Sequence, residues 1–398
     1  MDPAKVITDP SFEDGIPVFK PQYEEFKDFH KYVKQIEHYG YKSGILKIVP
    51  PKEWLERNYT SLETLKEIKI SKPINQTFNC GGLPAGCQRQ FNVEMRKNFS
   101  VEEWHQLSET VCAPPVLLEN GKMALQKIKK QVDQDSVEKV CPIIDQFGVE
   151  IPQYIHTPPS RLSPEYLAAL ERFYWRNVSF QTTMYGADMP GSIFTNEKDN
   201  MWNISRLESL LSTIKTKIPG VNTPYLYFGL YKATFAWHVE DMDLFSINYI
   251  HFGAPKQWYV IPQDHKQKFE RFAHSLFFDE AKQCAEFLRH KTSVISPTLL
   301  EKQGIKVSKI VQYANEFIIT FPDGYHQGYN TGFNCAESVN FALESWIPYG
   351  RKAHFCTCID DSVSLDVNAL FGSDPDAPVK PAKEKKQRRL PKKKASLF

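Results

Sequence analysis

The sequence predicts a mainly β domain that carries added helices, and three features of the chain support this. Its 398 residues are 41% apolar and 13% aromatic, which is enough to fill sizeable cores. Runs rich in β-branched and aromatic residues alternate with turn-forming sequences such as Gly253-Ala254-Pro255 and Pro322-Asp323-Gly324. A charged segment with helical periodicity, residues 263–289, interrupts these runs and should pack outside the β core. The predicted strands, which together favour a barrel or a sandwich, cover residues 246–252, 257–261, 316–321 and 336–343.

The chain begins with a short N-terminal unit. Between residues 21 and 39 apolar residues recur three or four positions apart, which predicts an amphipathic helix that Gly40 can end. A short apolar run follows in GILKIVPPKEW and stops at Pro50-Pro51, which predicts a strand. The unit should close near Trp54, and it is too small to stand alone. The apolar residues of the predicted helix are Tyr23, Phe26, Phe29, Val33 and Ile36.

An irregular segment precedes the main β-rich part of the chain. Residues 109–163 contain Pro114-Pro115 and Pro158-Pro159 on either side of a charged stretch, so we expect a mobile insertion in which residues 121–140 form one surface helix. Aromatic residues become more frequent after it. In residues 225–238 they share one parity, which predicts one long strand with an aromatic face.

The net charge of +2 conceals a strongly basic end. Residues 380–394 hold nine Lys or Arg against the single acidic Glu384, which is typical of a solvated disordered tail and is compatible with nuclear import or nonspecific contact with nucleic acid. The N-terminus lacks an apolar segment after a basic start, and no apolar run is long enough for a bilayer, so we predict neither secretion nor a membrane span. Eight unevenly spaced cysteines favour a reducing compartment. Those expected to stay free are Cys80, Cys87, Cys112, Cys141 and Cys335.

Two histidines and a glutamate form a candidate metal site. His238 and Glu240 lie two residues apart at the end of a predicted strand, so their side chains point to the same face, and His326 follows downstream. Two imidazoles and one carboxylate hold Fe(II) on one face and leave positions open for a 2-oxo acid and dioxygen. A His-x-Glu pair also arises by chance, with a core histidine beside a surface glutamate as the alternative. The presence of Asn248, Lys256 and His326 favours metal binding.

Lys256 is a candidate ligand for an anion. It lies in the strand-turn-strand sequence HFGAPKQWYVIP, among Ile, Phe and Trp. A buried ammonium group is costly there unless an anion accompanies it, and a dicarboxylic cosubstrate would provide one. Exposure of the side chain just after the turn is the alternative.

A second cluster offers three thiols and one imidazole. Five residues separate Cys284 from His290, and Cys356 and Cys358 follow after a long interval. Such a set suits a closed tetrahedral zinc site, which would join the helical insertion to the C-terminal segment. Scattered core Cys and His residues are the alternative.

These residues and their surroundings resemble the JmjC histone lysine demethylases that pair a JmjN segment with a JmjC barrel, the Jumonji-D2 type, and most closely its fungal members. The resemblance covers IPVFKPQYEEFKDFHKYVKQIE, GILKIVPPKEW and nearly everything between Tyr174 and Cys358. It is most evident in MYGAD, PGVNTPYLYFGLYKATFAWHVEDMDLFSINYIHFGAPKQWY, EFLRHK and GFNCAESVNFAL. It implies a double-stranded β-helix, that is, a cupin-like jelly roll, as the JmjC core, with an N-terminal JmjN unit and a helical insertion.

The resemblance also implies a division of the chain. The expected parts are a JmjN unit at 15–57, a linking segment packed on the core at 58–108, a variable insertion at 109–163, a JmjC catalytic domain with its zinc site at 164–372, and a disordered basic tail at 373–398.

Roles for individual side chains follow from the same resemblance. Fe(II) would be bound by His238, Glu240 and His326, and structural Zn(II) by Cys284, His290, Cys356 and Cys358. The cosubstrate 2-oxoglutarate would be held by Tyr185, Asn248 and Lys256, with Phe235 beside its chain. The methylated lysine would lie against Gly220, Tyr227, Glu240 and Ser338, a polar pocket that orients methyl groups through weak C–H to oxygen contacts.

The activity that the resemblance implies is oxidative demethylation of tri- and dimethylated lysine on the histone H3 tail, at lysine 36 or lysine 9, by a nuclear chromatin regulator. The likeness to fungal members favours lysine 36. A catalytically weak chromatin regulator and a 2-oxoglutarate-dependent protein hydroxylase are the alternatives. Human members of the family commonly carry Tyr and Ala where this chain has Asp323 and Gln327, on either side of His326, so both residues could alter substrate entry or rate.

Overall fold

The computed structural model describes residues 7–57, 62–126, 143–144, 150–151, 163–194, 200–359 and 362–372. Its strands are β1 (Ser11–Glu13), β2 (Ile16–Phe19), β3 (Ile45–Ile48), β4 (Lys69–Ile70), β5 (Ile74–Asn79), β6 (Cys87–Glu94), β7 (Phe99–Ser100), β8 (Val116–Leu117), β9 (Met123–Ala124), β10 (Ile143–Ile144), β11 (Glu150–Ile151), β12 (Thr183–Pro190), β13 (Tyr225–Gly229), β14 (Thr234–His238), β15 (Phe245–Gly253), β16 (Lys256–Ile261), β17 (Ser293–Ile295), β18 (Ser308–Gln312), β19 (Phe317–Thr320), β20 (Tyr325–Asn330) and β21 (Asn334–Phe341). The helices are α1 (Tyr23–Phe26), α2 (Phe29–Ser43), α3 (Lys52–Leu55), α4 (Leu62–Glu67), α5 (Val101–Glu109), α6 (Pro164–Asn177), α7 (Lys266–Leu276), α8 (Phe278–Gln283), α9 (Pro297–Lys302), α10 (Ile347–Lys352) and α11 (Val367–Phe371), with short 3-10 turns between them.

Two sheets make up the core of the described chain. The larger has the strand order β1-β2-β3-β19-β15-β21-β13-β12-β5-β6-β17, and the smaller has the order β14-β20-β16-β18. Apolar side chains from both sheets, such as Ile45 and Ile318 from the larger and Trp258 and Val260 from the smaller, form one buried cluster. The sheets therefore pack face to face, and the prediction of a mainly β protein with helices outside the core is confirmed.

Strands of the N-terminal unit join the larger sheet, and a helix of the unit packs against it. Strand β3 pairs with β19, and α2 packs its apolar face on this part of the sheet. The predicted single helix is two helices, because Asp28 caps a new one and its carboxylate accepts a hydrogen bond from the Lys31 backbone N–H. Gly44, with φ 85°, ends α2 in place of Gly40. Gly40 instead lies inside the helix.

The single strand predicted for residues 225–238 is wrong. The segment forms β13 and β14, which belong to different sheets and are joined by a turn in which Lys232 has φ 71°. A bulge between Phe235 and His238 also breaks the alternation of side chains within β14. Phe235 therefore packs between the two sheets. Trp237 packs instead in a second buried cluster, outside the space between the sheets, that includes Phe269 and Ala273 of α7. The common parity of the aromatic residues does not give one aromatic face.

Several other expectations have clear outcomes. Residues 123–124 form a strand paired with β8, so the helix predicted from 121 does not begin there, and its residues from 127 to 140 lie outside the described chain, as does the basic tail. The segment 263–289 is helical as predicted, mainly in α7 and α8. Cys80, Cys87, Cys112 and Cys335 are free thiols, and Cys141 lies outside the described residues. Among the helices described, none combines the length and apolar character needed to span a bilayer.

Candidate active site

The three predicted iron ligands converge at one end of the smaller sheet. His238 ends β14 and lies directly opposite His326 of β20, with ring centroids 4.3 Å apart. Glu240 follows two residues after His238, and its Oε1 lies 3.4 Å from His326 Nε2. One ligand atom from each residue lies within 4.8 Å of the others. The three side chains are therefore close enough to share one metal ion.

Backbone carbonyls orient both imidazoles. His238 Nδ1 is 2.7 Å from the Ala236 carbonyl, and His326 Nδ1 is 3.0 Å from the Gly324 carbonyl. A carbonyl oxygen only accepts hydrogen bonds, so Nδ1 must carry the proton in each ring. In the neutral form of each ring Nε2 is then free to bind a metal, which is the usual arrangement around protein-bound metals.

The charge states of these groups also suit a metal. Burial and the neighbouring His326 lower the pKa of His238 to about 3, so this ring is neutral at physiological pH. Burial acts to raise the pKa of Glu240, but its contact with His326 and the nearby His238 and Lys291 outweigh burial and lower the pKa below its ordinary value. Asn340 Nδ2 donates to Glu240 Oε2 at 3.0 Å, and Arg289 donates to the Glu240 carbonyl at 3.1 Å. The site thus offers a neutral His238 imidazole and a fixed carboxylate.

Lys256 lies at the start of β16 with only 1% of its surface exposed, so the exposed alternative is wrong. Its Nζ donates to Asn330 Oδ1 at 2.7 Å and lies 3.4 Å from the Tyr185 hydroxyl. The rings of Tyr185 and Phe235 are 5.6 and 5.9 Å from the same nitrogen. No carboxylate of the described residues forms an ion pair with it, and burial lowers the pKa of Lys256 to about 7. An anionic ligand would supply the missing countercharge.

Asn248 has a buried polar atom that finds no hydrogen-bond partner among the described residues. It lies in β15 opposite Ser338 of β21, at the centre of the larger sheet. Within the described chain its Oδ1 is buried and accepts no hydrogen bond. Leaving such a group unpaired costs about 1 to 3 kcal/mol, which a bound ligand with a hydrogen-bond donor would relieve.

The residues expected to surround the methylated lysine are tied to the same region. The Tyr227 hydroxyl donates to Asp188 at 3.0 Å, and the Tyr227 and Tyr185 rings lie 6.0 Å apart. Gly220 has φ 77°, and its carbonyl accepts from the backbone N–H of Asn340 at 3.3 Å. The side chain of Asn340 contacts Glu240, so Gly220 is linked to the metal-site carboxylate through one residue.

The second predicted cluster is also brought together. Cys356 Sγ lies 3.6 Å from Cys284 Sγ, 3.0 Å from Cys358 Sγ and 3.3 Å from His290 Nε2. Burial acts to raise the pKa of Cys356, but hydrogen bonds from Cys358 and His290 lower it to about 6. Zinc with thiolate and imidazole ligands at about 2.3 and 2.0 Å requires spacings of this order. The cluster joins the segment after α8 to the segment after α10.

Asp323 and Gln327, the two residues near His326 that differ from the family pattern, lie in different environments. Asp323 forms an ion pair with Lys266 of α7. The side chain of Gln327 is buried and donates to the Ile295 carbonyl at 2.6 Å, while its oxygen accepts from the Ile295 N–H at 3.4 Å. Neighbouring residues of a strand face opposite sides, so Gln327 points away from the side occupied by the His326 ring.

Sequence reasoning missed the residues that support the ligands. Asn330 binds Lys256, and Asn340 and Arg289 bind Glu240. Asn340 could have been found, because it lies two residues after Ser338 in one strand and therefore on the same face. Asn330 and Arg289 have no comparable signal in the sequence.

Comparisons with known proteins agree with this geometry. The sequence matches the family described as "JmjC domain, hydroxylase" over residues 225–341 and the "jmjN domain" over residues 17–50. It is 40% identical over 362 residues to "Lysine-specific demethylase 4B" of Mus musculus, covering 89% of this chain and 28% of that protein. It is 38% identical to "Lysine-specific demethylase 4D" of Rattus norvegicus and 38% identical to "Probable lysine-specific demethylase 4F" of Homo sapiens, each over 89% of this chain. The chain spans 60% and 48% of these two relatives.

Proposed function

From the premise that the chain is a JmjN- and JmjC-domain protein with a cupin-like jelly-roll core, we propose that it is an Fe(II)- and 2-oxoglutarate-dependent dioxygenase that demethylates lysine on histone H3. The observation that carries this proposal is the convergence of His238, Glu240 and His326, with both Nδ1 atoms against backbone carbonyls and the carboxylate held by Asn340. These three residues would hold Fe(II). The bound metal, with 2-oxoglutarate and dioxygen, supplies the oxidising power to hydroxylate an N-methyl carbon, and the hydroxylated methyl group then leaves as formaldehyde.

The residues near the metal would bind and orient the cosubstrate. Lys256 would pair its ammonium group with one carboxylate of 2-oxoglutarate, and the Tyr185 hydroxyl would donate to the same group. Asn248 would be a second polar contact through its side-chain NH2 group, which donates, because 2-oxoglutarate carries only acceptor oxygens. Phe235 would lie beside the carbon chain, since its ring is 5.9 Å from Lys256 Nζ. Zn(II) bound by the second cluster would have a structural role.

The substrate in this proposal is a tri- or dimethylated lysine of the H3 tail, lysine 36 or lysine 9. Gly220, Tyr227, Ser338 and the Glu240 carboxylate would surround its methyl groups with oxygen atoms, which favours weak C–H to oxygen contacts. Because the attack is at carbon and needs no nitrogen lone pair, a quaternary trimethyl-lysine can react. The resemblance to fungal members favours lysine 36.

A nuclear location and a role in chromatin regulation follow from a histone substrate. The nine basic residues between 380 and 394 would add nonspecific electrostatic attraction to nucleic acid, which weakens as salt rises. We also retain the domain division proposed from the sequence, with JmjN at 15–57 and the JmjC catalytic domain at 164–372.

Mass spectrometry of methylated H3 peptides tests the proposal. The protein, Fe(II) and 2-oxoglutarate are incubated with peptides trimethylated or dimethylated at lysine 36 or lysine 9. We expect loss of one CH2 unit per turnover, absent in His238→Ala and retained in His38→Ala, which alters an exposed histidine. Gain of one oxygen on a protein substrate would favour the hydroxylase alternative. No change in any peptide, with bound metal present, would favour the catalytically weak chromatin regulator.

A further inference from the structure

We propose that Asp323 is a positioning residue for the third metal ligand: its ion pair with Lys266 fixes the turn whose carbonyl orients the His326 imidazole. The inference rests on the metal role proposed for His326. Asp323 is one of the two residues beside His326 at which this chain departs from the family pattern.

The turn before β20 sets the direction of the His326 ring. Phe321 and Gly324 are joined by a backbone hydrogen bond of 3.0 Å, with Asp323 between them at φ 63°. The Gly324 carbonyl accepts from His326 Nδ1 at 3.0 Å. A displacement of this carbonyl would rotate the imidazole or remove its hydrogen bond, and Nε2 would move relative to Glu240. The position of the turn is therefore part of the metal site.

Residues of α7 and the 3-10 turn before it hold the outer side of this turn. Gln263 donates to the Pro322 carbonyl and Lys266 pairs with Asp323. One helical turn further on, Glu270 accepts from the Tyr325 hydroxyl at 3.1 Å. Side chains three and four residues apart lie on one face of a helix, so these three contacts lie side by side and together hold the turn before β20.

The inner side of the turn is held by the N-terminal unit. The Phe321 N–H donates to the Gly44 carbonyl at 3.0 Å, and Gly324 packs so closely on Gly44 that a Cβ at residue 324 would lie 2.4 Å from the Gly44 oxygen. The close packing of Gly324 on Gly44 resists movement of the turn toward α2, and the hydrogen bond from Phe321 opposes movement away from α2 at one end of the turn. The Lys266–Asp323 pair is the charged contact that acts on the other side.

Asp323→Asn isolates the effect of the charge. Asparagine has nearly the same volume, and Asn and Asp both tolerate a positive φ. Lys266 lies 3.9 Å from Glu270 as well, so loss of the Asp323 charge leaves that carboxylate as its remaining partner and releases the turn. Lys266→Met removes the same interaction from the other side while keeping most of the side-chain stem.

Titration with Mn(II), followed by loss of the free-ion electron paramagnetic resonance signal, tests the inference in the full chain with its zinc content measured. We expect Asp323→Asn and Lys266→Met each to weaken Mn(II) binding about 3- to 10-fold, less than loss of a direct partner of a metal ligand, and the double variant to be no weaker than either. Lys309→Met is the matched control, because it removes an ion pair with Glu171 at 2.9 Å elsewhere and should leave the affinity unchanged.

Two results would overturn the inference: Mn(II) affinities within about twofold of wild type in both single variants, or effects that simply multiply in the double variant. If Asp323→Asn does not fold, Lys266→Met alone decides. As a second readout, 15N spectra of labelled histidine should show His326 with mixed tautomers in Asp323→Asn, and an unchanged spectrum counts against the inference. A wild type that binds Mn(II) but demethylates no H3 peptide would refute the proposed function and leave this inference intact, whereas a wild type that does not bind Mn(II) would overturn both.

Discussion

Replacing Lys256 by methionine should change stability and cosubstrate binding in opposite directions. The ammonium group is 99% buried and, within the described residues, pairs with no carboxylate. Burial lowers its pKa from 10.5 to about 7. Without cosubstrate the protein must therefore either bury an uncompensated charge or release the proton as pH rises through about 7, and methionine of similar length removes this cost.

The magnitude for stability follows from the pKa. A shift from 10.5 to about 7 costs the folded state about 4 kcal/mol at pH 7. Loss of the Lys256–Asn330 hydrogen bond offsets about 2 kcal/mol of the gain, although Asn330 still accepts from Asn334 at 3.0 Å. We expect Lys256→Met to be about 2 kcal/mol more stable at pH 7. Because the folded pKa lies below the unfolded one, the penalty is fully present below pH 7 and disappears as pH rises toward 10.5.

Cosubstrate binding should weaken in the same variant. Removing one partner of a buried charge pair costs about 2 to 5 kcal/mol, so the dissociation constant for 2-oxoglutarate should rise at least about 30-fold. In the wild type the ammonium form must be present to bind the dianion. Its affinity should therefore fall as pH rises above about 7, and this dependence should be missing in Lys256→Met.

Guanidinium unfolding without cosubstrate and calorimetric titration of 2-oxoglutarate into the Mn(II)-loaded protein measure the two effects. Both are run between pH 6 and pH 9, with Lys309→Met as the control that keeps the buried lysine. A variant that is less stable than wild type at pH 7, or one that binds 2-oxoglutarate within about threefold of wild type, would show that Lys256 is not an anion site.

Three further changes have expected outcomes. Asn340→Ala removes the donor to Glu240 Oε2 and should weaken Mn(II) binding about 10-fold in the resonance titration; an unchanged affinity would mean that Asn340 does not hold the carboxylate. Gly324→Ala places a Cβ 2.4 Å from the Gly44 oxygen and should lower the free energy of unfolding by about 1 to 3 kcal/mol in guanidinium, and a loss below about 0.5 kcal/mol would contradict the close packing. Cys358→Ser should lower the zinc content measured by mass spectrometry and the stability together, while full zinc occupancy would exclude Cys358 as a ligand.

The strands of the larger sheet show what sequence patterns predict well. β15 and β21 lie at its centre, and β19 pairs with β15. Each was expected within one or two residues, because short apolar runs with clear turn formers on both sides indicate strands reliably. β5 and β6 were not predicted, because many of their residues are polar: the runs INQTFN and CQRQFNVE contain Asn, Gln and Arg. Their place in the sheet comes from pairing with β12 and β17, which are distant in sequence.

The end of α2 shows how packing decides between two local signals. Gly40 and Gly44 were both available as helix-ending residues, and the periodic apolar pattern stops before the first. A Cβ at residue 40 would lie 2.0 Å from the Phe321 ring, so Gly40 is required for close packing inside the helix. The helix continues to Gly44, which adopts the positive φ. No local rule ranks these two glycines, because the deciding contact is with a residue 281 positions away.

Spacing and residue type predicted which side chains could bind a metal, but they could not predict charge compensation. Whether Lys256 was buried or exposed depended on the pairing of β16 with β18 and β20. Among the residues that the structure describes, that ammonium group has only neutral partners and Asn248 Oδ1 has none, although the surrounding backbone is hydrogen-bonded in its sheets. Both features lower the stability of the fold, and such losses are tolerated at sites where ligand binding compensates for them. If Lys256→Met is more stable and fails to bind 2-oxoglutarate, the cost and its compensation lie at the same atom, and the surroundings of Lys256 form a binding site by free energy as well as by geometry.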